Sequence, residues 1–491
     1  MRSPARSSMR SSRTALVAAA IALIAACGGT AASQAAFNSR YPGCAPKGQA
    51  VYDYLRSGAD NSADHGLDVG FADRRATILK EPESSQDGLM RAEAQKQVTA
   101  CEQAAGPSLS IPVGPGVTSD TIELGIITDL SGIFADFGKT VSRGSQLFWS
   151  DQNKRGGVCG RKVDLQIKDH GYNVQTAVGL YYSMQPKVLA FQEILGSPEV
   201  AAVLPAIASD QVLTEPVAWS SKLLTNPYIV LSGTTYDLEM INGVEWLIKN
   251  RGLHVGDHIG DIYLEGEFGE NALAGTRAAA LANHLTVVEQ KIHSTDRDMT
   301  SQVQALKAAG AHFTAITATP GQVASVAQAA AALHYDLTIL GSNPTFDPSI
   351  LTGPAGPDLS HSFYVVQSYA PYSGDGVGPS TVRGEYSATY PNQPVSASSP
   401  GFGYGQAEIM YKILDAACKS GSLERPALLK AFRTLTSVGT EGLIAPLNYS
   451  QPGAPPARQV FITQPDAQSP GGLRVVQTLF ASPLGQTYQP S

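Results

Sequence analysis

Residues 122–173 read IELGIITDLSGIFADFGKTVSRGSQLFWSDQNKRGGVCGRKVDLQIKDHGYN, which is strand, glycine-punctuated loop, helix, turn and strand in that order. Thr121 to Thr128 and Lys162 to Lys168 carry the β-branched residues of buried parallel strands. Between them Phe137, Val141, Gly144, Leu147, Phe148 and Asp151 recur at helical spacing. This is one βαβ unit. A right-handed crossover puts both strands in one sheet, with the loop from Thr128 to Gly138 at its carboxyl edge, where small ligands bind in open α/β sheets.

Upstream, Arg2, Arg6, Arg10 and Arg13 precede twelve apolar residues, Ala15 to Ala26, and then Cys27-Gly28-Gly29. Twelve is short of the roughly 20 residues needed to span a bilayer, so residues 1–26 read as a secretion signal. Ile24-Ala25-Ala26-Cys27 resembles a bacterial lipobox, in which the cysteine thiol receives diacylglycerol. Cleavage of an ordinary signal near Ala32 or Ala36 is the alternative. A diacylglyceryl group plus an amino-terminal acyl chain supplies more than one hydrocarbon tail, enough for stable anchoring. No other run of 18 apolar residues occurs, and the expected location is extracytoplasmic, anchored to the cell membrane as a lipoprotein.

Removing residues 1–26 leaves 31 basic against 42 acidic side chains, a net of −11, and such a surface repels nucleic acid. With 43% hydrophobic and 16% charged residues, the 491-residue chain can fill two or three cores. Beyond Cys27 four cysteines remain, and an even number in an exported chain favours disulfides over metal ligands. Four allow three pairings, and some could equally be buried thiols. Cys44 with Cys101 and Cys159 with Cys418 is the preferred set, the first pair closing a loop inside an amino-terminal extension.

Residues 28 to about 117 are weakly periodic and end in a Pro/Gly tract, Gly106-Pro107 to Gly114-Pro115-Gly116, which reads as a small helical extension and linker with a helix over Gln86–Ala105. From Ile122 onward strands and helices alternate. Val188–Phe191 and Tyr228–Leu231 read as strands, and Ser197-Pro198-Glu199 as a helix opening with Ser197 as its cap. A second βα series runs from Ile259 to Leu340. Two such series predict an α/β protein of two doubly wound lobes. A Pro/Gly/Ser loop over Tyr364–Tyr404 leads to a helix at Gly405–Lys419, followed by short strands near Gln459–Thr463 and Leu473–Leu479.

Taken together, Gly125 to Gly171 with its Gly156-Gly157-x-x-Gly160-Arg161 turn, EFGENALAG around Gly269–Gly275, DMTSQVQALKAAGAHFTA from Asp298 to Ala315, and Gly341–Pro344 make the chain resemble a known family. It is the leucine/isoleucine/valine-binding type of extracytoplasmic solute-binding protein, the type I periplasmic binding proteins. Coverage runs from about 118 to 450. The resemblance implies two Rossmann-like lobes on a three-segment hinge, closing over a small molecule and handing it to the permease and ATPase subunits of an ABC importer, with no cofactor. The crossings would fall near Thr235, Gln367 and Glu441. Lobe 1 would then be 118–235 plus 368–440, and lobe 2 would be 236–367 plus 441–491, after a lipidated segment 27–117. Cys159 and Cys418 would both sit in lobe 1, which supports their pairing. A monomer is expected.

The same resemblance selects candidate ligand contacts. Ser197 opens a helix whose free N–H groups could cradle a carboxylate, although capping alone is the plain reading. Ser232, Thr234 and Thr235 follow the expected strand at Tyr228–Leu231 and would face the same space. Phe137, Tyr236 and Phe268 offer ring area with little rotamer entropy to lose, which suits a cleft wall; taken singly, each reads as core. Asn343 stands where amino-acid binders carry an acid, and Thr319 where a tyrosine is common. These departures count against a branched-chain amino acid, and the expected cargo is a small polar or aromatic metabolite: an amino acid, an amide, a urea-like compound, an aromatic acid or another carboxylate or weakly charged molecule. Asp237 and Glu239 remain as acidic anchors.

Catalysis finds little support. Neither a Gly-x-Ser-x-Gly elbow nor a His-Glu-x-x-His helix occurs. His254 and His258 flank Val-Gly-Asp in a turn with no third ligand evident, so no metal site is expected. Asp298 reads as a helix cap, and the glycines of Gly401-Phe402-Gly403-Tyr404-Gly405 as positions of close backbone packing. The alternative to import is a sensory module showing its bound state to a membrane receptor, with an extracytoplasmic hydrolase a distant third.

Overall fold

A computed structural model describes residues 111–490. The signal, Cys27, the helix expected at Gln86–Ala105 and the Cys44–Cys101 pair lie outside the described residues. The first lobe starts as β1 (Thr121–Thr128), α1 (Ala135–Lys154), β2 (Lys162–Asp169), α2 (Val174–Met184), β3 (Ala190–Leu195), α3 (Ser197–Asp210) and β4 (Thr214–Val217). Its sheet runs β2-β1-β3-β4, all parallel. Every residue of β3 and β4 is buried, as strands covered on both faces must be.

The second lobe follows with α4 (Tyr236–Arg251), β5 (His258–Leu264), α5 (Glu267–Ala282), β6 (Thr286–Ile292), α6 (Thr300–Ala309), β7 (Phe313–Thr317), α7 (Pro320–Ala332), β8 (Thr338–Ser342), α8 (Gly356–Ser362) and β9 (Phe363–Gln367). The chain then returns to the first lobe as α9 (Val377–Thr389), α10 (Ser399–Lys419) and α11 (Arg425–Thr434). It finishes on the second with β10 (Val460–Pro465), β11 (Leu473–Phe480) and α12 (Pro483–Thr487). The second sheet is ordered β11-β10-β9-β8-β7-β5-β6, with β10 and β11 antiparallel to their neighbours. The fold is therefore α/β, two doubly wound lobes joined by three connections.

Those connections are bonded to one another. Ala445 N donates to Ser368 O and Ala370 N to Leu443 O, both at 2.8 Å, while the Thr234 hydroxyl donates to Gln459 O at 2.8 Å. A hinge made this way couples the lobes through a few backbone bonds and leaves their sheets independent.

Three local expectations change. Tyr228–Leu231 is not a strand, because it meets β4 at a single bridge, Thr214 to Ile229, before turning into the hinge. The strand at that place is Thr214–Val217, hidden in the sequence by its Glu and Pro. The long loop expected over Tyr364–Tyr404 contains the end of β9, all of α9 and the start of α10. Pro379 and Pro400 fall in first turns, where no helical N–H is needed. Lastly, Gly196, at φ 105°, is the cap residue of α3 and Ser197 its first helical residue.

α10 crosses α1 at close range. A Cβ on Gly403 would overlap the Val141 carbonyl oxygen, and one on Gly144 would overlap that of Pro400, so both helices need glycine at the contact. At the far end of α10, just past the end of α1, Cys159 and Cys418 form a disulfide, Cα atoms 6.1 Å apart and 259 residues apart in sequence. Closing so long a loop restricts the unfolded chain strongly. Replacing both cysteines by serine is expected to lower unfolding free energy by up to about 5 kcal/mol. A urea midpoint unmoved by the double substitution would refute this.

Candidate functional site

Segments following the carboxyl ends of strands in the two sheets meet, Ser220 to Lys222 after β4 bonding Glu267 and Asn271 after β5. In the first lobe the loop after β1 is held by two carboxylates. Asp129 accepts from the N–H groups of Ser131, Gly132 and Phe134, and Asp169 accepts from Leu130 N at 2.9 Å, Gly171 N at 2.8 Å and the Ser131 hydroxyl at 2.7 Å. Burial opposes ionisation of Asp169, but these donors outweigh it and hold its carboxyl below the ordinary value. The loop so fixed presents Phe134 against Tyr172, ring centroids 5.0 Å apart, and Phe137 in the first turn of α1.

Trp219, just past β4, is the centre of an aromatic cluster drawn from both lobes and the hinge. Its ring lies 5.9 Å from Tyr236, 6.1 Å from Tyr369 and 5.0 Å from Phe402, and Tyr236 lies 4.8 Å from Phe268. The Trp219 Nε1–H donates to Ser232 O at 3.2 Å, and the Tyr236 hydroxyl is 3.4 Å from the Ser197 hydroxyl across the gap. Rings packed in this way keep a rigid wall while leaving polar tips to orient a guest.

Polar contacts also join the lobes. The Ser220 hydroxyl donates to Glu267 at 3.0 Å, Lys222 Nζ pairs with the same carboxylate at 2.7 Å, and Asn271 exchanges bonds with Ser221 at 2.7 and 3.2 Å. At the hinge, Asn343 donates from Nδ2 to Glu239 at 3.2 Å and from its backbone N–H at 3.4 Å, and accepts from the Tyr369 hydroxyl at 2.7 Å. Burial raises the Glu239 carboxyl well above its ordinary value, with Asn343 pulling the other way.

The expected contact residues therefore divide. Phe137 and Asn343 line one small cavity of about 10 Å³, together with Phe346, Val365, Tyr369 and Leu473, room for about one water. Ser197, Tyr236 and Phe268 meet near Trp219. Ser232 is buried, with its carbonyl engaged by Trp219. The hydroxyls of Thr234 and Thr235 turn to Gln459 and Asp237, and that of Thr319 sits in a capping box with Gln322 at the start of α7. Sequence reading passed over Trp219 and Tyr369, because one follows the unrecognised β4 and the other lay in the supposed long loop. Among the described residues no cluster of three His, Cys, Asp or Glu could hold a metal.

The periplasmic binding protein family matches residues 121–470. The chain belongs to that family. The periplasmic binding protein described here is similar to a fatty acid ABC transporter substrate-binding protein from Thermomonospora curvata. The two share 40% identity and a TM-score of 0.76, over 78% of this chain and 97% of that one. A branched-chain amino acid ABC transporter protein from Thermus thermophilus with bound valine shares the fold at 17% identity, TM-score 0.67, covering 76% of this chain and 99% of that one. So does a leucine-binding protein from Thermotoga maritima at 17% identity, TM-score 0.62, covering 73% and 99%. No curated protein matches the chain. These relatives are substrate-binding transport proteins, so the periplasmic binding protein is a binder of solutes and not an enzyme, with its work outside the cytoplasm.

Proposed function

We propose that this periplasmic binding protein is the lipid-anchored capture subunit of an ABC importer, tethered through Cys27, and that its cargo is a small carboxylic acid with an apolar body. The observation that carries the cargo class is the composition of the wall between the lobes: Phe134, Phe137, Trp219, Tyr236, Phe268 and Phe402 are buried there. Lys222, at the rim, is taken by Glu267. Among the described residues the one Lys or Arg buried as deeply is Arg161, which bonds Thr118 and Cys159 at the opposite end of β2. An apolar body gains about 25 cal/mol per Å² against such rings, and its carboxylate can meet the N–H groups and positive end of α3. The acid that could pair an amino-acid ammonium, Glu239, already accepts from Asn343 through both oxygens. The 40% identical relative is named for fatty acids, which agrees with this class.

Capture follows from closure: the ligand touches both lobes only when they are together, so it shifts the balance toward the shut form by that difference in affinity. Titration with octanoate, phenylacetate and leucine, followed by calorimetry, tests the cargo class. Octanoate or phenylacetate should bind stoichiometrically with micromolar affinity, about 8 kcal/mol. Phe137→Ala and Phe268→Ala should each weaken this at least tenfold. Preference for leucine, or variants that bind as the parent does, would contradict the assignment.

A further inference from the structure

Glu199 is the third residue of α3, 1% exposed, and neither of its carboxyl oxygens has a hydrogen-bond partner in any other residue. A buried carboxyl left so is costly, and most are satisfied. Its room is made by Gly196: a Cβ there would overlap Glu199 Oε2 and lie 3.1 Å from the Tyr172 ring. The carboxyl thus sits at the mouth of α3, beside Ser197 and the aromatic wall.

We propose that Glu199 binds the cargo directly, as a carboxylic acid sharing its proton with the cargo's carboxylate at the amino end of α3. The inference rests on the cargo class proposed above and adds the group that recognises it. The surroundings suit a neutral acid. Asp129 is satisfied by three N–H groups, and its charge adds to the burial that lifts Glu199 to about 7. His170 is held neutral mainly by burial and accepts from Tyr172 N through Nδ1. Tyr236 reaches Ser197 from α4. From α5 come Glu267, paired with Lys222, and exposed Glu270. Tyr181 on α2 bonds Asp210 at the far end of α3, while Glu193 on β3 turns to Ser142 and Glu215 on β4 to Gln192. No cation from these elements reaches the carboxyl, so a second carboxylate can approach only if a proton stays between the two.

The test is octanoate affinity of the full chain between pH 6 and pH 9, where octanoate is ionised throughout. Affinity should be flat at first, then fall by up to tenfold per pH unit above about 7. Calorimetry in two buffers of different ionisation enthalpy should show proton uptake on binding at pH 8. Glu199→Gln keeps a neutral donor, so its affinity should not change with pH and should exceed the parent's at pH 9; thermal unfolding checks that the variant is folded. A flat parent profile, or a Glu199→Gln profile parallel to the parent's, overturns the role of Glu199 while leaving the cargo class intact. Loss of octanoate binding in folded Glu199→Gln overturns it, because a neutral amide donor should serve the carboxylate as the neutral acid does. If octanoate and phenylacetate bind at no pH, the cargo class itself fails and this inference with it.

Discussion

Gly403→Ala is expected to destabilise the protein by about 3 kcal/mol, near the upper end for overpacking, although alanine is the better helix former. The new methyl group would occupy the place of the Val141 carbonyl oxygen, and backbone inside a helix cannot move aside as a side-chain tip can. Two substitutions in the same region set the comparison. Gly401→Ala meets only the Leu443 Cδ2 methyl, at 3.2 Å, and Gly384→Ala in α9 meets nothing within 4 Å. The first should be close to neutral and the second stabilising by about 0.5–1 kcal/mol. Urea unfolding of the three variants measures this directly, and a Gly403→Ala midpoint equal to that of Gly401→Ala would show that the α1–α10 contact is looser than described. Because α10 also carries Phe402 into the aromatic cluster, the folded fraction of Gly403→Ala should bind octanoate more weakly.

A second large effect comes from Glu193, fully buried on β3 and pushed by burial from an ordinary 4.5 up to about 8. The Ser142 hydroxyl donates to it across 3.4 Å and the Thr128 hydroxyl lies beside it, which only partly offsets the lost hydration. Below about pH 4.5 the carboxyl is protonated folded or unfolded and contributes no pH dependence. Between about 4.5 and 8 the unfolded chain releases a proton that the folded chain keeps, so stability falls as pH rises and levels off above about 8. Each unit of difference is about 1.4 kcal/mol, so the whole window is worth a few kcal/mol. Glu215 is raised by burial too and acts in the same sense. Glu193→Gln should therefore unfold at a distinctly higher temperature than the parent at pH 8 and at nearly the same temperature at pH 4.5. Equal shifts at both pH values would mean that packing, not ionisation, sets the difference.

The candidate site was partly legible in the residues. Phe137 and Phe268 stand in the first helical turns after strands, and glycine spacing around them marks such strand–helix junctions in any doubly wound sheet. Thr319 carried a misleading signal, because its place after a strand suits both a ligand contact and a helix cap; Gln322 three residues on is the mark of a capping box. Glu199 was read as part of the Ser-Pro-Glu opening of a helix, and its isolation depends on Gly196 at the cap of that helix and on Tyr172 and Asp129 from two other segments. Nothing local announces that.

What the amino-acid order determines alone is the succession of strands and helices, because the alternation of β-branched runs with helical periodicity acts over a few residues at a time. From it follow the parallel sheets, the two lobes and the carboxyl edges where a ligand can lie. Which side chains meet there is decided by the tertiary structure. Trp219, Tyr369 and Phe402 come from a strand end, a hinge and a helix that are distant in the chain. Only the packing of α10 on α1 and the bonding of the three connections bring them into contact, since burial free energy depends on what surrounds a ring and not on its neighbours in sequence.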